Sequence, residues 1–335
     1  IAPAYREWYA QNGAAATAIS NNGRYVVGAY DKQGFVLDLE LDQMNPIMNA
    51  EFYDVSDSGI AVGSNHAANL DGVAAYYKDG EVVDVSFDEF LSSADNCGGA
   101  ALVAIMPDAS FAVGWLWDYG DTDYTSTYGM MIPVKYDFAT DEVSVLPAGD
   151  FKYVGEDRIG LVPKCIASDG VILGYDYSYD MFSGVWNSAE EEFEYLLLEV
   201  DDKGLPLKTI GDSNNRMSQD GRYVYGIAKN YSNNIAKEVA AAYDREAGEI
   251  IYVGGATITA MTDAGIAFIN DAPYYMGETS YIVDVTSGDL ETLTPIADWL
   301  LEEYDMNLGE EIPYGIIVNA VAADGNTIVG IANTD

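Results

Sequence analysis

One short pattern recurs from end to end of this chain and constrains its fold more than any other feature. It reads AISNNGRYVVG at 18–28, VSDSGIAVG at 55–63, IMPDASFAVG at 105–114, IASDGVILG at 166–174, MSQDGRYVYG at 217–226, MTDAGIAFI at 261–269 and VAADGNTIVG at 321–330. Each copy is an apolar or small run, a polar turn on Asn-Gly, Asp-Gly or Ser-Gly, and an alternating stretch rich in Val, Ile and Tyr. That is the signature of a β-hairpin, with the turn glycine supplying positive torsions and β-branched residues suiting the strand. Most copies close on a glycine (Gly28, Gly63, Gly114, Gly174, Gly226, Gly330), expected where two backbones approach too closely for a side chain. The sixth copy has Ile269 there instead.

A lone hairpin cannot bury its apolar face, so the repetition implies stacked units. The first five closing glycines are 35, 51, 60 and 52 residues apart, bracketing the roughly 40–50 residues of a four-stranded propeller blade. Further strand candidates follow each hairpin, such as 73–77 with 81–85 and 240–244 with 249–253. The expected fold is therefore all-β: a single β-propeller domain over 1–335, with repeats starting near 16, 52, 102, 163, 214, 257 and 318. Seven four-stranded blades are expected, closed by pairing of the N- and C-terminal segments through a strand within 1–15, because pairing removes a free sheet edge. Six blades plus an appended hairpin is the alternative. Thr294-Pro295 is read as the start of a short helix through Tyr304, with Thr294 as cap and Trp299, Leu300 and Leu301 facing the sheet.

The turn pattern, and most closely the stretch from Ile296-Ala297-Asp298-Trp299-Leu300-Leu301 through Val321-Ala322-Ala323-Asp324-Gly325-Asn326-Thr327-Ile328-Val329-Gly330, resembles the extracellular HAF-type repeats, whose pattern is near A-x-x-I-S-x-D-G-x-x-I-V-G. The resemblance covers most of the chain and consists of turn and strand residues. It implies a propeller-like fold and an extracytoplasmic setting, and it carries no catalytic residue.

Fifteen Lys and Arg stand against 55 Asp and Glu, a formal net charge of −40. A surface this acidic repels nucleic acid and anionic membranes, which makes both poor partner candidates, and no nucleic-acid partner is expected. No apolar run of membrane-spanning length occurs. The chain opens at Ile1 rather than Met, which together with the resemblance gives the expectation of a bacterial protein that is secreted, periplasmic or anchored at the cell surface, and monomeric. Cys97 and Cys165 allow one bridge or two buried thiols, with the thiols favoured.

In a propeller the loops that follow each closing glycine emerge on one rim. That rim gathers the aromatic and acidic insertions: Trp115, Trp117, Tyr119 and Tyr124 in the third repeat, Tyr177, Tyr179 and Trp186 in the fourth, then Tyr231, Tyr274 and Tyr275. The opposite rim carries ordinary turn residues. Tyr and Trp offer flat amphipathic surface at low ordering cost, and loops on a rigid scaffold are where recognition concentrates. The expected function is non-catalytic binding or adhesion, with a glycan or a protein as partner. The competing account has the aromatics packing on one another to hold long loops.

No resident cofactor is expected. Asp118, Asp121 and Asp123 are the one candidate set for Ca2+, without the spacing or terminal Glu of an EF-hand, so a solvated acidic loop is the plainer account. A single histidine, His66, leaves no zinc motif and no nucleophile motif. The enzyme alternative is a carbohydrate-active hydrolase or lyase with paired carboxylates near the central channel, some 5–10 Å apart.

Overall fold

The computed structural model describes residues 15–30, 33–67, 72–91, 97–118, 130–148, 160–177, 182–200, 206–210, 215–230, 237–270, 280–290, 292–307 and 316–332. These form a β-propeller of antiparallel sheets, each running from an inner strand to an outer one. Blade one pairs Ala15–Ile19, Tyr25–Tyr30, Gln33–Asp38 and Gln43–Met48 in that order. Blade two begins with Ala50–Val55, blade three with Cys97–Ile105, blade four with Leu161–Ile166 and blade six with Thr257–Met261. In blade five the inner strand is only Arg216–Met217, and a hairpin of Leu197–Val200 and Pro206–Ile210 pairs with the far end of Tyr223–Asn230 beyond it.

The seventh unit corrects the first expectation. Ile316–Val321 and Ile328–Ala332 form a two-stranded sheet, so the described chain has six complete blades and a hairpin, the alternative count. The hairpin still occupies a ring position between blades six and one. Val318 N–H donates to Ser280 Oγ at 3.0 Å on one side, and Asn319 Nδ2 donates to the Ala16 carbonyl at 2.9 Å on the other. The ring-closing strand expected within 1–15 lies outside the described residues, apart from Ala15, which belongs to blade one.

The turn sequence has a direct physical reading. In the first repeat Ser20 Oγ donates to Asn22 Oδ1 (2.7 Å) and accepts from Tyr25 N–H (2.9 Å), while Asn22 Oδ1 also accepts from Arg24 N–H (3.0 Å). Ser218, Asp220, Arg222 and Tyr223 repeat the arrangement in the fifth, at 2.7, 2.9 and 2.9 Å. Side-chain oxygens thus satisfy turn amides that no strand can pair, and only the glycine needs a positive φ, +73° at Gly23 and +79° at Gly221. The turns also clasp their neighbours. Asn22 N–H reaches Asp57 Oδ1 (2.8 Å), Ser168 N–H the Gln219 carbonyl (2.7 Å), and Asp220 N–H Asp263 Oδ1 (3.0 Å).

The closing glycines answer to a second regularity. The inner strands of blades one, two, four and six and of the hairpin each carry a β-bulge, at Thr17, Tyr53, Lys164, Thr259 and Asn319; blade three has one at Val103. The bulge drives the inner-strand backbone toward the second strand, so that a Cβ at Gly63, Gly114 or Gly330 would collide with the carbonyl of Glu51, Ala101 or Ile317. Blade six keeps Ile269 by placing Gly255, at φ +90°, against it.

An α-helix, α1 (Ile296–Tyr304), follows the outer edge of blade six. Thr294 and Pro295 are not its first turn: they pair as a short strand with Ile282 and Tyr281, and Pro295 is an N-cap without a side-chain bond. The helical period buries Ile296 and Leu300 and sets Trp299 edge-on to Phe268, with ring centres 6.3 Å apart, which turns Leu301 outward.

Candidate functional site: an aromatic rim and a charged channel

The second strands of the blades all end toward one rim, as the antiparallel hairpin order requires. Of the residues expected there, Tyr119, Tyr124, Tyr179, Tyr231, Tyr274, Tyr275, Asp121 and Asp123 lie outside the described residues. Trp115 and Trp117 alternate with buried Leu116 along Phe111–Asp118, and so share the face that carries Val113 into the core between blades three and four. Trp117 meets Tyr177 of blade four edge to face, with ring centres 5.4 Å apart, while Tyr177 remains exposed and its N–H donates to the Gly160 carbonyl at 2.9 Å. Two insertions from different blades are thereby joined.

Trp186 departs from the expectation. It is completely buried, packs against Phe193 at 4.7 Å, and its Nε1 donates to the Pro147 carbonyl at 2.7 Å. It ends the third strand of blade four, so strand alternation points it into the core between blades three and four rather than onto the rim. Asp118 is also buried. Five of the six blades end their second strand on Asn or Asp (Asn65, Asp118, Asp176, Asn230, Asn270). Asp176 illustrates why: its carboxylate accepts from Phe182 N–H at 2.8 Å and Tyr195 Oη at 3.2 Å, tying down the loop that follows. Among the described residues no three His, Cys, Asp or Glu side chains gather in a way that would hold a metal ion.

The lone histidine does meet a hydroxyl. His66 Nε2 lies 3.0 Å from Ser64 Oγ, but the nearby carboxylate, Glu51, approaches that same nitrogen at 3.9 Å and also accepts from Tyr53 Oη at 2.9 Å. A nucleophile relay needs the carboxylate on the other ring nitrogen.

The central channel holds chemistry that the repeat reading passed over. A cavity of about 70 Å3 is walled by inner-strand residues of all seven units and reaches Asn21, Pro107 and Gln219 in the turns of the rim opposite the aromatics. Aligned on the residue that pairs just before the closing-glycine position, the column reads Ala18, Asp54, Ala104, Cys165, Arg216, Ala260 and Ala320 in ring order, each just after a bulge except Arg216. The position is small in five units and charged in two. Asp54 is held rigidly, accepting from its neighbour Val55 N–H and from Ile105 N–H of blade three, both at 2.9 Å. Burial pushes its carboxyl up to about 6, while those two N–H groups and the Arg216 charge pull the other way. Lys164, the bulge residue of blade four, adds a second cation to the wall. Cys165 is a free thiol, pushed up to about 11 by burial and therefore unreactive as a nucleophile. Among the described residues the wall contains one carboxylate, Asp54.

No family model matches the chain, and no curated protein matches it. Solved structures do. An oligogalacturonate lyase in complex with manganese is 10% identical, with 95% of this chain and 88% of that one covered and a TM-score of 0.54. An oligogalacturonate lyase from Vibrio parahaemolyticus is 11% identical, with 83% and 76% covered and a TM-score of 0.52. At such identities the likeness is one of fold, and it agrees with the propeller described above.

Proposed function

We propose that this chain is a binding module of the HAF-type repeat class, exported or displayed at a cell surface, that takes a glycan or protein ligand on its aromatic rim. The observation carrying this reading is the contact of Trp117 with Tyr177 across two blades, which leaves an exposed ring on a rigid base. By their place in the sequence, Trp115 and residues 119–124, 179, 231 and 274–275 are expected to belong to the same rim. Aromatic faces of this kind stack on sugar rings or anchor protein partners. No helix among the described residues is long and apolar enough to cross a membrane, in keeping with a displayed domain. Calcium held by Asp118, Asp121 and Asp123 would order the third-repeat loop without taking part in chemistry.

A carbohydrate-active hydrolase or lyase needs two carboxylates facing each other over an open cleft. The single carboxylate in the described channel wall makes binding the better-supported reading. A glycan array and a protein-partner screen, each with and without calcium, test it using Trp117→Ala and Tyr177→Ala. Loss of a wild-type signal in both variants supports rim recognition; a signal unchanged in both places recognition elsewhere. Release of unsaturated or reducing sugar ends from any bound glycan would replace binding by catalysis.

A further inference from the structure

We propose that the turns of blades five and six on the plain rim form a pH-sensitive latch, in which Asp220 and Asp263 share one proton in acid and push apart once both carboxyls are ionised. The matching turns of blades one and two make the same backbone contact without the second carboxyl.

Neighbouring turns clasp in two ways among the described residues. At three seams the contact is backbone alone: Asp57 N–H to the Pro107 carbonyl (2.9 Å), Ser168 N–H to the Gln219 carbonyl (2.7 Å) and Ala323 N–H to the Asn21 carbonyl (3.3 Å). Two residues before the turn glycine, only repeats two and six carry a carboxylate, Asp57 and Asp263. There the residue just before the glycine of the preceding turn reaches that carboxylate instead. Asn22 N–H donates to Asp57 Oδ1 at 2.8 Å and its Nδ2 to the Asp57 carbonyl at 3.1 Å. Asp220 N–H donates to Asp263 Oδ1 at 3.0 Å. Where Asn22 brings a donor, Asp220 brings a second carboxyl, within hydrogen-bonding reach of the first.

Two carboxylates so placed cannot both ionise without cost. Burial first, and then the Asp220 charge, hold the Asp263 carboxyl above its ordinary 3.8, against the N–H groups of Asp220 and Gln219; no cation is among these influences. Arg222 forks onto Asp244 with Glu246 beside it, and Arg245 bonds the Gly221 carbonyl and Asn187. The other titratable groups around the two turns are Asp169 of blade four beside Gly221, Tyr223 beside Gly265, Asp284 bonded to Thr286, and Asp324 of the hairpin bonded to Asn326. None of these four can neutralise a carboxylate. Because the folded carboxyl is raised, its proton favours the closed seam: the benefit is full below 3.8 and is lost as pH rises through the folded value. Gln219, whose N–H also reaches Asp263, stands at the mouth of the channel, so the latch holds or frees that mouth.

The test is amide hydrogen exchange of the whole chain at several values between about pH 4 and pH 7, with each amide's intrinsic rate divided out. The Asp220 amide reports the latch. The Asn22 amide reports the matching seam and shares every global change in stability. Protection at Asp220 should fall relative to that at Asn22 by about fivefold or more as pH rises. In Asp220→Asn, which installs the residue that repeat one uses, that fall should disappear; the wild-type ratio stands as a test without any variant. A ratio of the two protections that stays constant with pH overturns the latch, as does a fall that persists unchanged in Asp220→Asn.

Discussion

Asp54 and Arg216 occupy the same register position in two different repeats, opposite Val62 and Tyr225, the residue before the closing glycine, and the positive charge of one moderates the ionisation of the other. A pair drawn from repeats two and five has no precedent in the remaining units, where the position is Ala or Cys.

The pH dependence of stability reports on this pair. Because the Asp54 carboxyl rises from 3.8 to about 6 on folding, the folded chain binds its proton more tightly than the unfolded one. Its ionisation therefore costs stability as pH rises through that window, and the cost is absent below it and fully present above it. Denaturant unfolding of wild type and Asp54→Asn at several pH values should show the wild type losing ground by up to about 3 kcal/mol between acid and neutral pH. Parallel curves would remove burial as the influence that controls Asp54.

Two turns of the outer strands are tied by one device. Arg24 forks onto Asp38 (Nε 3.1 Å, a terminal nitrogen 2.8 Å), and Asp38 also accepts from the N–H groups of Glu40 and Leu41. Arg222, Asp244, Glu246 and Ala247 repeat it in blade five. The arginine bond, with the backbone bonds, holds both carboxyls below their ordinary range, against burial. Their contribution is present above the unfolded value of 3.8 and disappears as pH falls through the folded value. Asp38→Ala should cost on the order of 1–3 kcal/mol at neutral pH and much less in strong acid, by urea unfolding.

Glycines at two kinds of position should respond differently. Gly63→Ala places a Cβ on the Glu51 carbonyl, whereas Gly170→Ala meets nothing and suffers only its φ of +89°. The first should cost roughly 3 kcal/mol or more or fail to fold, and the second about 1–2 kcal/mol. Equal melting temperatures for the two variants would refute the bulge as the origin of the closing glycine.

Trp186 and Tyr177 separate packing from recognition. Trp186→Ala empties a fully buried site between blades three and four and leaves the Pro147 carbonyl without its donor. It should lower stability by about 3–5 kcal/mol. Tyr177→Ala, at an exposed ring, should leave the unfolding free energy within about 0.5 kcal/mol of wild type while weakening whatever the rim binds.

Much of this was legible in the amino-acid sequence because it is local and repeated. Ser20-Asn21-Asn22-Gly23 and Ser218-Gln219-Asp220-Gly221 turn alike since each supplies its own side-chain acceptor for its own amides, and seven copies sufficed to argue a propeller. The charged channel was legible in principle as well. Aligning the repeats on the residue that pairs just before the closing-glycine position sets Asp54 and Arg216 against a column of alanines, but that register is a matter of strand pairing, which spacing between turns does not reveal.

What the sequence by itself determined is therefore the hairpin unit, its turn chemistry and the all-β class, all of which depend on residues within a few positions of one another. Only the tertiary structure decided that Trp186 is core, that Leu301 faces outward, that the seventh unit is a two-stranded hairpin in the described chain, and that Asp54, Lys164 and Arg216 share one channel. Each of those depends on which side of a strand or helix meets a neighbouring blade, and closing the ring sets that by bringing together residues far apart along the chain.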